Sequence, residues 1–491
     1  MAFLKHSDSI YIGGEWQPTT AREPVINPAD ESLLIEAPVG SAAQVEAAIA
    51  AARHAFDHTD WPHWPVARRQ ALMTRFLDAI DARKAEIVDM IVAEAGSTRM
   101  LAEFLQYGIP MKHARRTVEV ASRPAITPLP IELTPNAAGG KTLGTGVVSR
   151  EPVGVVAAIS PYNFPFFLNI GKVVPALVVG CTVVLKPSPY TPMQALILGE
   201  IADEVGLPKG VLSIVTGDIE AGKLLTTDPR VDLVHFTGSD KVGEMIQAQG
   251  APTLKRIVME LGGKSALIVR ADANIQEAAA AALGGFTVHC GQGCALTTRH
   301  LVHNSVRPQF VATLQAMLGH LKIGNPADPS VNYGPLIRAV ARERTERYVQ
   351  IAQDEGATLV AGGKRPDGLD KGFYFQPTLF DNVRNDSRLA QEEVFGPIGA
   401  VIGFDDDDEA IALANASDFG LSGAICSADA GRAFEMALRI RTGSVSINGG
   451  GGTMLSDAPF GGIKRSGYGR EYGEDGLNEF TYQKVISFHA A

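Results

Sequence analysis

The chain holds 491 residues, 45% apolar and 20% charged, with a formal net charge of −10. Length alone asks for about three domain-sized units. A net negative chain without a block of basic residues excludes a nucleic-acid phosphate backbone as partner. Four cysteines exclude a disulfide framework and imply a reducing compartment. The opening MAFLKHSDSIYIGGEW has no apolar leader, and no apolar run is long enough to span a bilayer, so a cytoplasmic protein without membrane contact is expected.

The first segment opens with short strands, SIYIGGEWQPTT running into PVINPADESLLIEAPVG. Apolar residues then recur at three and four over 42–57 and 67–96, the spacing of amphipathic helices, and Gly96 marks a stop. Residues 123–150 turn Pro-rich and alternating, which predicts extended strands standing off the main body. Strand–helix alternation follows, with GVVAAIS (154–160), TVVLKPS (182–188), VLSIVTG (211–217) and LVHFTGS (233–239) each preceding a helix. Such short apolar runs separated by helices predict a parallel sheet covered on both faces. The pattern restarts at SALIVR (265–270) and runs through helices over 309–321 and 336–355 to GAVIGFD (399–405), a second α/β unit over 257–455. The tail FTYQKVISFH (480–489) is one more strand, able to join the 123–150 element.

Two stretches invite a metal reading and fail it. HAFDH (54–58) has two histidines on one helix face but no third ligand, and Cys290 with Cys294 lacks a second pair at ligand spacing. DDDDE (405–409) lacks the spaced donors and Gly turn of a calcium loop and reads as a turn capping the next helix. No metal site is expected.

Five stretches carry chemistry. ISPYNFP (159–165) mounts the Asn163 amide between prolines, as a turn former or an oxyanion donor. LKPSPYTP (185–192) puts Lys186 at the carboxyl end of a strand, as a surface lysine or a partner for ribose or phosphate. VHFTGSDKVG (234–243) places Gly238 and Ser239 at a helix start, a tight turn or an anion site. MELGGKS (259–265) holds Glu260 before two glycines, as a helix-end carboxylate or a general base. HCGQGCALTTR (289–299) surrounds Cys294 with small residues, leaving it either a core filler or an accessible nucleophile; Cys181 and Cys426 lie in apolar strands and read as core.

Together PYNFP, LKPS, FTGS, ELGGKS, GQGCALTTR, EEVFGPI (392–398) and PFGGIKRSGYGRE (459–471) resemble, in collinear order over nearly the whole chain, the NAD(P)-dependent aldehyde dehydrogenase superfamily of the hydrolytic, non-acylating type. The resemblance implies an α/β fold: a Rossmann-type cofactor domain (1–122 and 145–256), an α/β catalytic domain (257–455) and a small β oligomerisation arm (123–144 and 475–491). It implies that Cys294 forms a thiohemiacetal and then a thioester, that its backbone N–H and Asn163 hold the oxyanion, and that Glu260 activates the hydrolytic water. It assigns Ile159, Ser160, Pro161, Lys186, Ser188, Gly217, Phe236, Thr237, Gly238, Ser239, Val242, Leu261, Glu393 and Phe395 to NAD or NADP. It also implies a homodimer or homotetramer, with a small-molecule aldehyde as the other partner.

Three departures qualify it. Tyr162 stands where the family usually has Trp. Pro189 replaces the Glu that in NAD-preferring members binds the ribose 2′-hydroxyl, so a 2′-phosphate is no longer repelled and NADP is an expected cofactor. INGGGGTMLSDAPFGG (447–462) carries four glycines where relatives often place bulky aromatics, and Gly171 stands where a large ring is common. A roomy apolar pocket of Phe164, Phe167, Leu168, Gly171, Met454, Leu455 and Phe460 is expected. With no arginine in that loop to anchor a carboxylate, a bulky hydrophobic or aromatic aldehyde is the expected substrate. The alternatives are a carboxylate-bearing semialdehyde and, in another class, a catalytically idle structural or binding member.

Overall fold

The structure is a computed structural model describing residues 4–121 and 125–489. The outermost positions of three expected segments (1–3, 122–124 and 490–491) lie outside the described residues.

An eight-stranded sheet runs in the order Glu15–Pro18, Ser9–Ile12, Leu212–Ile214, Thr182–Lys186, Val155–Ile159, Leu233–Thr237, Arg256–Glu260, Gly467–Tyr468. The strands from Leu212–Ile214 to Arg256–Glu260 are mutually parallel, and those outside them antiparallel. Val155–Ile159, Thr182–Lys186 and Leu233–Thr237 are buried along their whole length, as their unbroken apolar sequences demand. The chain steps outward from Val155–Ile159 toward Leu212–Ile214, then returns to lay Leu233–Thr237 on the other flank. Such a reversal opens a crevice beyond the carboxyl ends of the strands. Residues 160–163, 237–239 and 260–262 all emerge there.

A seven-stranded sheet follows in the order Thr358–Ala361, Thr378–Asp381, Ile398–Phe404, Arg299–His303, Ala266–Val269, Ser422–Cys426, Ser444–Ile447. It is parallel except for Thr358–Ala361. The C-terminal strand Thr481–His489 pairs antiparallel with Lys141–Pro152, which also carries Ile126–Pro128 and Glu132–Pro135.

Local departures from the sequence pattern have identifiable causes. The period over 67–96 is shared by two helices, Val66–Ala82 and Lys84–Ala95, broken at Arg83 (φ −105°, ψ 18°). The Arg83 guanidinium binds the buried Glu200 at 2.8 Å and Glu86 at 2.8 Å. The opening strands divide: Ser9–Ile12 joins the large sheet through Tyr11 and Ile214, whereas Ala21–Ile26 and Leu33–Val39 form a separate ribbon. In the acidic run, Asp406 caps helix Asp407–Asn415 by accepting from the Glu409 N–H at 2.9 Å. Asp407 binds Arg270, which holds its carboxyl below the usual range. No described helix is long and apolar enough to cross a membrane, and no described cluster of His, Cys, Asp and Glu could hold a metal ion.

Candidate active site

Cys294 owes its position to a strained turn. After helix Ile275–Thr287 the chain passes through His289 (φ 48°), Cys290 (φ 55°) and Gly291 (φ 72°), three successive left-handed residues. Two of them carry side chains, which costs energy and marks a site the surrounding structure enforces. A Cβ at Gly291 would lie 2.3 Å from the Gly396 carbonyl carbon, so only glycine packs there. The buried Gln292 side chain fastens the turn, donating to the His289 carbonyl at 3.1 Å and accepting from the Ile337 N–H at 3.0 Å. Cys294 thereby stands half-buried in a cavity of about 330 Å³, while Cys290 packs in the core with its sulfur 3.2 Å from the Tyr333 hydroxyl.

Asn163 lines the same cavity. Its Nδ2 donates to the Gln292 carbonyl at 2.9 Å, and its own carbonyl accepts from Gln106 Nε2 at 3.3 Å. The first contact ties the side-chain amide to the segment that carries the thiol, and the second holds the Asn163 backbone to the turn that carries Gln106. Glu260 ends strand Arg256–Glu260, 1% exposed, and neither carboxylate oxygen has a hydrogen-bond partner among the described residues. Burial first, and the Glu471 carboxylate second, push its pKa well above the usual carboxylate range. A Cβ at Gly461 would lie 2.7 Å from Glu260 Oε1, so bare backbone makes room for the carboxylate. Behind it Lys172 Nζ binds Glu471 Oε1 at 2.5 Å and Thr237 Oγ1 at 2.7 Å in full burial. Burial, then Glu260, Glu393 and Glu471, push the Cys294 thiol up to about 12, so the resting protein holds it protonated.

The polar lining belongs to the sheet's carboxyl edge. Ser239 caps helix Asp240–Gly250, accepting from the Val242 N–H at 3.4 Å, and the helix start faces the crevice with its free N–H groups. The Phe236 ring sits under Gly238, where a Cβ would lie 2.3 Å from Cζ. Glu393 accepts from the Gly263 N–H at 3.0 Å, and a Cβ at Gly262 would lie 2.2 Å from Oε2. Burial raises Glu393 to about 7. Phe395 holds a left-handed backbone (φ 53°), its ring edge-on to Tyr162 at 6.1 Å. Lys186 is 6% exposed and burial lowers it to about 8; beside it Ser188 Oγ accepts from the Tyr190 N–H at 3.3 Å.

The structure gathers Pro161, Asn163, Phe164, Phe167, Leu168, Thr237, Gly238, Ser239, Leu261, Cys294, Glu393, Phe395 and Phe460 around one cavity. Ile159, Ser160, Lys186, Ser188, Gly217, Phe236 and Val242 lie outside its lining, in or just after the parallel strands and in the first turn of helix Asp240–Gly250. Glu260 touches the cavity only through its neighbours Leu261 and Gly262. Three expected pocket residues are not in the lining. Met454 and Leu455 are 39% and 54% exposed, because the glycine-rich loop carries them outward, and Gly171 is covered by the Tyr472 ring.

Sequence reasoning missed four residues. Arg344 lines the cavity from helix Ala339–Asp354, donates to the Phe395 carbonyl at 3.2 Å and leaves its buried Nε without a hydrogen bond. Tyr472 and Glu471 line it too, and Gln106 reaches Asn163 from a π-helical turn, Ala102–Gly108. A basic helix carried no local signal for Arg344; Glu471 closes the PFGGIKRSGYGRE stretch and Tyr472 follows it, but nothing local gave either a role, and a Gln in a helical run carried no signal for the fourth.

A helix N-terminus, the buried Glu393 carboxylate, Lys186 at the carboxyl end of its strand and Arg344 with an unpartnered Nε suit a dinucleotide; a thiol, an amide and a carboxylate suit acyl chemistry. Comparison with known proteins agrees. The profile of the aldehyde dehydrogenase family matches residues 16–486. A relative from Staphylococcus aureus (strain bovine RF122 / ET3-1) is 38% identical over 481 residues, 97% of this chain and 98% of its own length. The Mycobacterium tuberculosis aldehyde dehydrogenase, solved with NAD+, is 39% identical with a TM-score of 0.91, over 98% of this chain and 97% of that one. Betaine aldehyde dehydrogenase from Staphylococcus aureus, also solved with NAD+, is 34% identical with a TM-score of 0.94, over 99% and 96%. A match that runs from the first hairpin to the last strand and includes every element around the thiol leaves one conclusion: this chain belongs to the aldehyde dehydrogenase family.

Proposed function

We propose that the enzyme oxidises a bulky hydrophobic or aromatic aldehyde to its carboxylic acid, with Cys294 as nucleophile, Asn163 as oxyanion donor and Glu260 as the base for water. The observation that carries this reading is the company Cys294 keeps. It shares one cavity with the Asn163 amide and the rings of Phe164, Phe167, Phe460 and Tyr472. Among the described residues of that lining the one cation, Arg344, is held at the Phe395 carbonyl beside Glu393.

Once the Cys294 thiol has given its proton to water, its sulfur adds to the aldehyde carbon, and the oxyanion so formed accepts from Asn163 Nδ2 and the Cys294 N–H, donors fixed before the reaction begins. Lys186, Ser188, the Ser239 helix start, Arg344 and Glu393 are the residues that would hold NAD+ or NADP+, the latter because Pro189 places no carboxylate against a 2′-phosphate. Bound there, the nicotinamide supplies the acceptor for hydride from the thiohemiacetal carbon. Glu260 then takes a proton from water attacking the thioester. Its raised pKa makes it a stronger base than an exposed carboxylate, and its unpartnered oxygens are free to accept the proton. That step favours hydrolysis over transfer to a carrier thiol.

In the same reading residues 1–122 with 145–256 bind cofactor, 257–455 carry the chemistry, and 123–144 with 475–491 form the arm through which copies pair. The cytoplasm, where four free cysteines stay reduced, is the place of action.

A substrate panel with both cofactors tests the proposal. Benzaldehyde-type and medium-chain aldehydes should exceed succinic semialdehyde in kcat/KM. Betaine aldehyde belongs in the panel because an aromatic lining also accepts a quaternary ammonium. Succinic semialdehyde as the best substrate would overturn the proposed class, and NADP+ at under a few per cent of the NAD+ value would remove the second cofactor.

A further inference from the structure

Tyr472 is the most heavily constrained residue of the cavity that no motif accounts for. Its backbone is left-handed (φ 63°), unfavourable for a bulky side chain, and its buried hydroxyl has no hydrogen-bond partner among the described residues. Packing holds it there. Phe167 meets its ring edge-on at 5.6 Å and 89°, His113 lies at 4.7 Å, and Cys294 packs against the cluster it forms with Leu421 and Phe460.

The ring lies over Gly171. A Cβ there would stand 2.9 Å from the Tyr472 hydroxyl oxygen and 3.2 Å from Cε1. Gly171 sits inside helix Pro165–Val179 without a positive φ, so its backbone would accept any side chain. What requires glycine is the space the ring occupies. Tyr472 also stands between two spaces: on one side is the cavity that holds Cys294, on the other a small pocket of about 10 Å³ lined by His113, Gly171 and Pro175. One volume near the nucleophile can therefore be filled from position 472 or from position 171, but not from both.

We propose that Tyr472 is a specificity-determining residue: its ring, seated on the bare backbone of Gly171, forms the wall of the aldehyde cavity beside Cys294 and sets the largest acyl group the cavity accepts. The inference rests on the cavity being the aldehyde site. It does not depend on which aldehyde is physiological.

The test is kcat/KM across a straight-chain alkanal series, read as the ratio of a long to a short member. Tyr472→Leu joins the two cavities and should raise that ratio at least about tenfold, the discrimination a few methylenes bring in an apolar pocket. Tyr472→Phe keeps the ring and should keep the wild-type optimum, with a higher Tm because the unsatisfied hydroxyl is gone. Gly171→Phe should lose activity or fold by collision with Tyr472, and Gly171→Phe/Tyr472→Leu should recover both together with a wild-type ratio. A ratio within twofold of wild type in folded Tyr472→Leu would overturn the proposal. So would a tenfold change in Tyr472→Phe, or no recovery in the double variant. Because the ratio is internal to uncharged alkanals, a preference for carboxylate-bearing aldehydes would sink the proposed substrate class and leave this test standing.

Discussion

At Cys294, Glu260 and Asn163 the proposed mechanism poses a problem of protons: a proposed nucleophile held as thiol, a proposed base held as acid, and an amide held by the Gln292 carbonyl. Burial raises both the thiol and the Glu260 carboxyl, so each loses its proton only above its ordinary range. Activity should therefore climb with pH on the acid side, and the deacylation rate should lack the plateau an exposed carboxylate would reach by about pH 6. Stopped-flow deacylation against pH checks this; a rate flat from about pH 5 upward would contradict it. Asn163→Ala removes an amide that is already aligned, and kcat/KM should fall about 10²–10³-fold while Cys294 remains alkylatable. These three residues were legible in the sequence because each lies in a short local pattern of glycines or prolines. Arg344, Glu471 and Tyr472 were not. Lys172 and Glu471, for example, meet at 2.5 Å across 299 residues of chain, and nothing local to either announces the other.

At the scale of elements, two contacts between distant segments do what local caps do elsewhere. Helix Met193–Val205 begins at Pro192 without a side-chain cap of its own. The fully buried Glu94 supplies one from helix Lys84–Ala95, accepting from the Met193 N–H at 2.9 Å and the Gln194 N–H at 3.3 Å. Burial raises Glu94 from 4.5 to about 8, so its contribution to stability is complete below pH 4.5 and is lost as pH rises through about 8. Glu94→Gln keeps an acceptor without the charge; in chemical denaturation it should match wild type near pH 5 and exceed it near pH 9, by on the order of a few kcal/mol. The second contact is Gln106 on Asn163. Gln106→Ala should lower kcat about tenfold through the loosened Asn163 backbone, with thiol alkylation and Tm little changed; an unaltered kcat would remove Gln106 from the positioning role. Strand-helix alternation was readable because buried parallel strands are unbroken apolar runs. The break at Arg83 was not, since the apolar period runs on through it, and the π turn at Ala102–Gly108 carries no local sequence signal.

For the whole molecule, the exposed apolar residues of the sheet that pairs Lys141–Pro152 with Thr481–His489 are the feature a single copy leaves unexplained. Ile131, Leu133, Val485 and Phe488 are 67%, 64%, 63% and 55% exposed, an apolar surface of the kind that marks an interface. The prolines and alternation of 123–150 made this arm visible in the sequence, and the long pairing of Lys141–Pro152 with Thr481–His489 gives it a rigid platform. On the proposed pairing of copies through this face, Val485→Asp with Ile131→Asp should give a smaller species than the unchanged chain by light scattering, still folded. An unchanged mass would exclude this face as the contact.

The proposed mechanism passes through one covalent species, the Cys294 thioester. Intact mass spectrometry of Glu260→Gln, mixed with NAD+ and an aromatic aldehyde and quenched in acid, tests it most directly. The expected result is an adduct of the aldehyde's mass less two hydrogens, mapped to Cys294 and absent from Cys294→Ala. An unmodified chain that still forms NADH, or an adduct carried by Cys290, would contradict it.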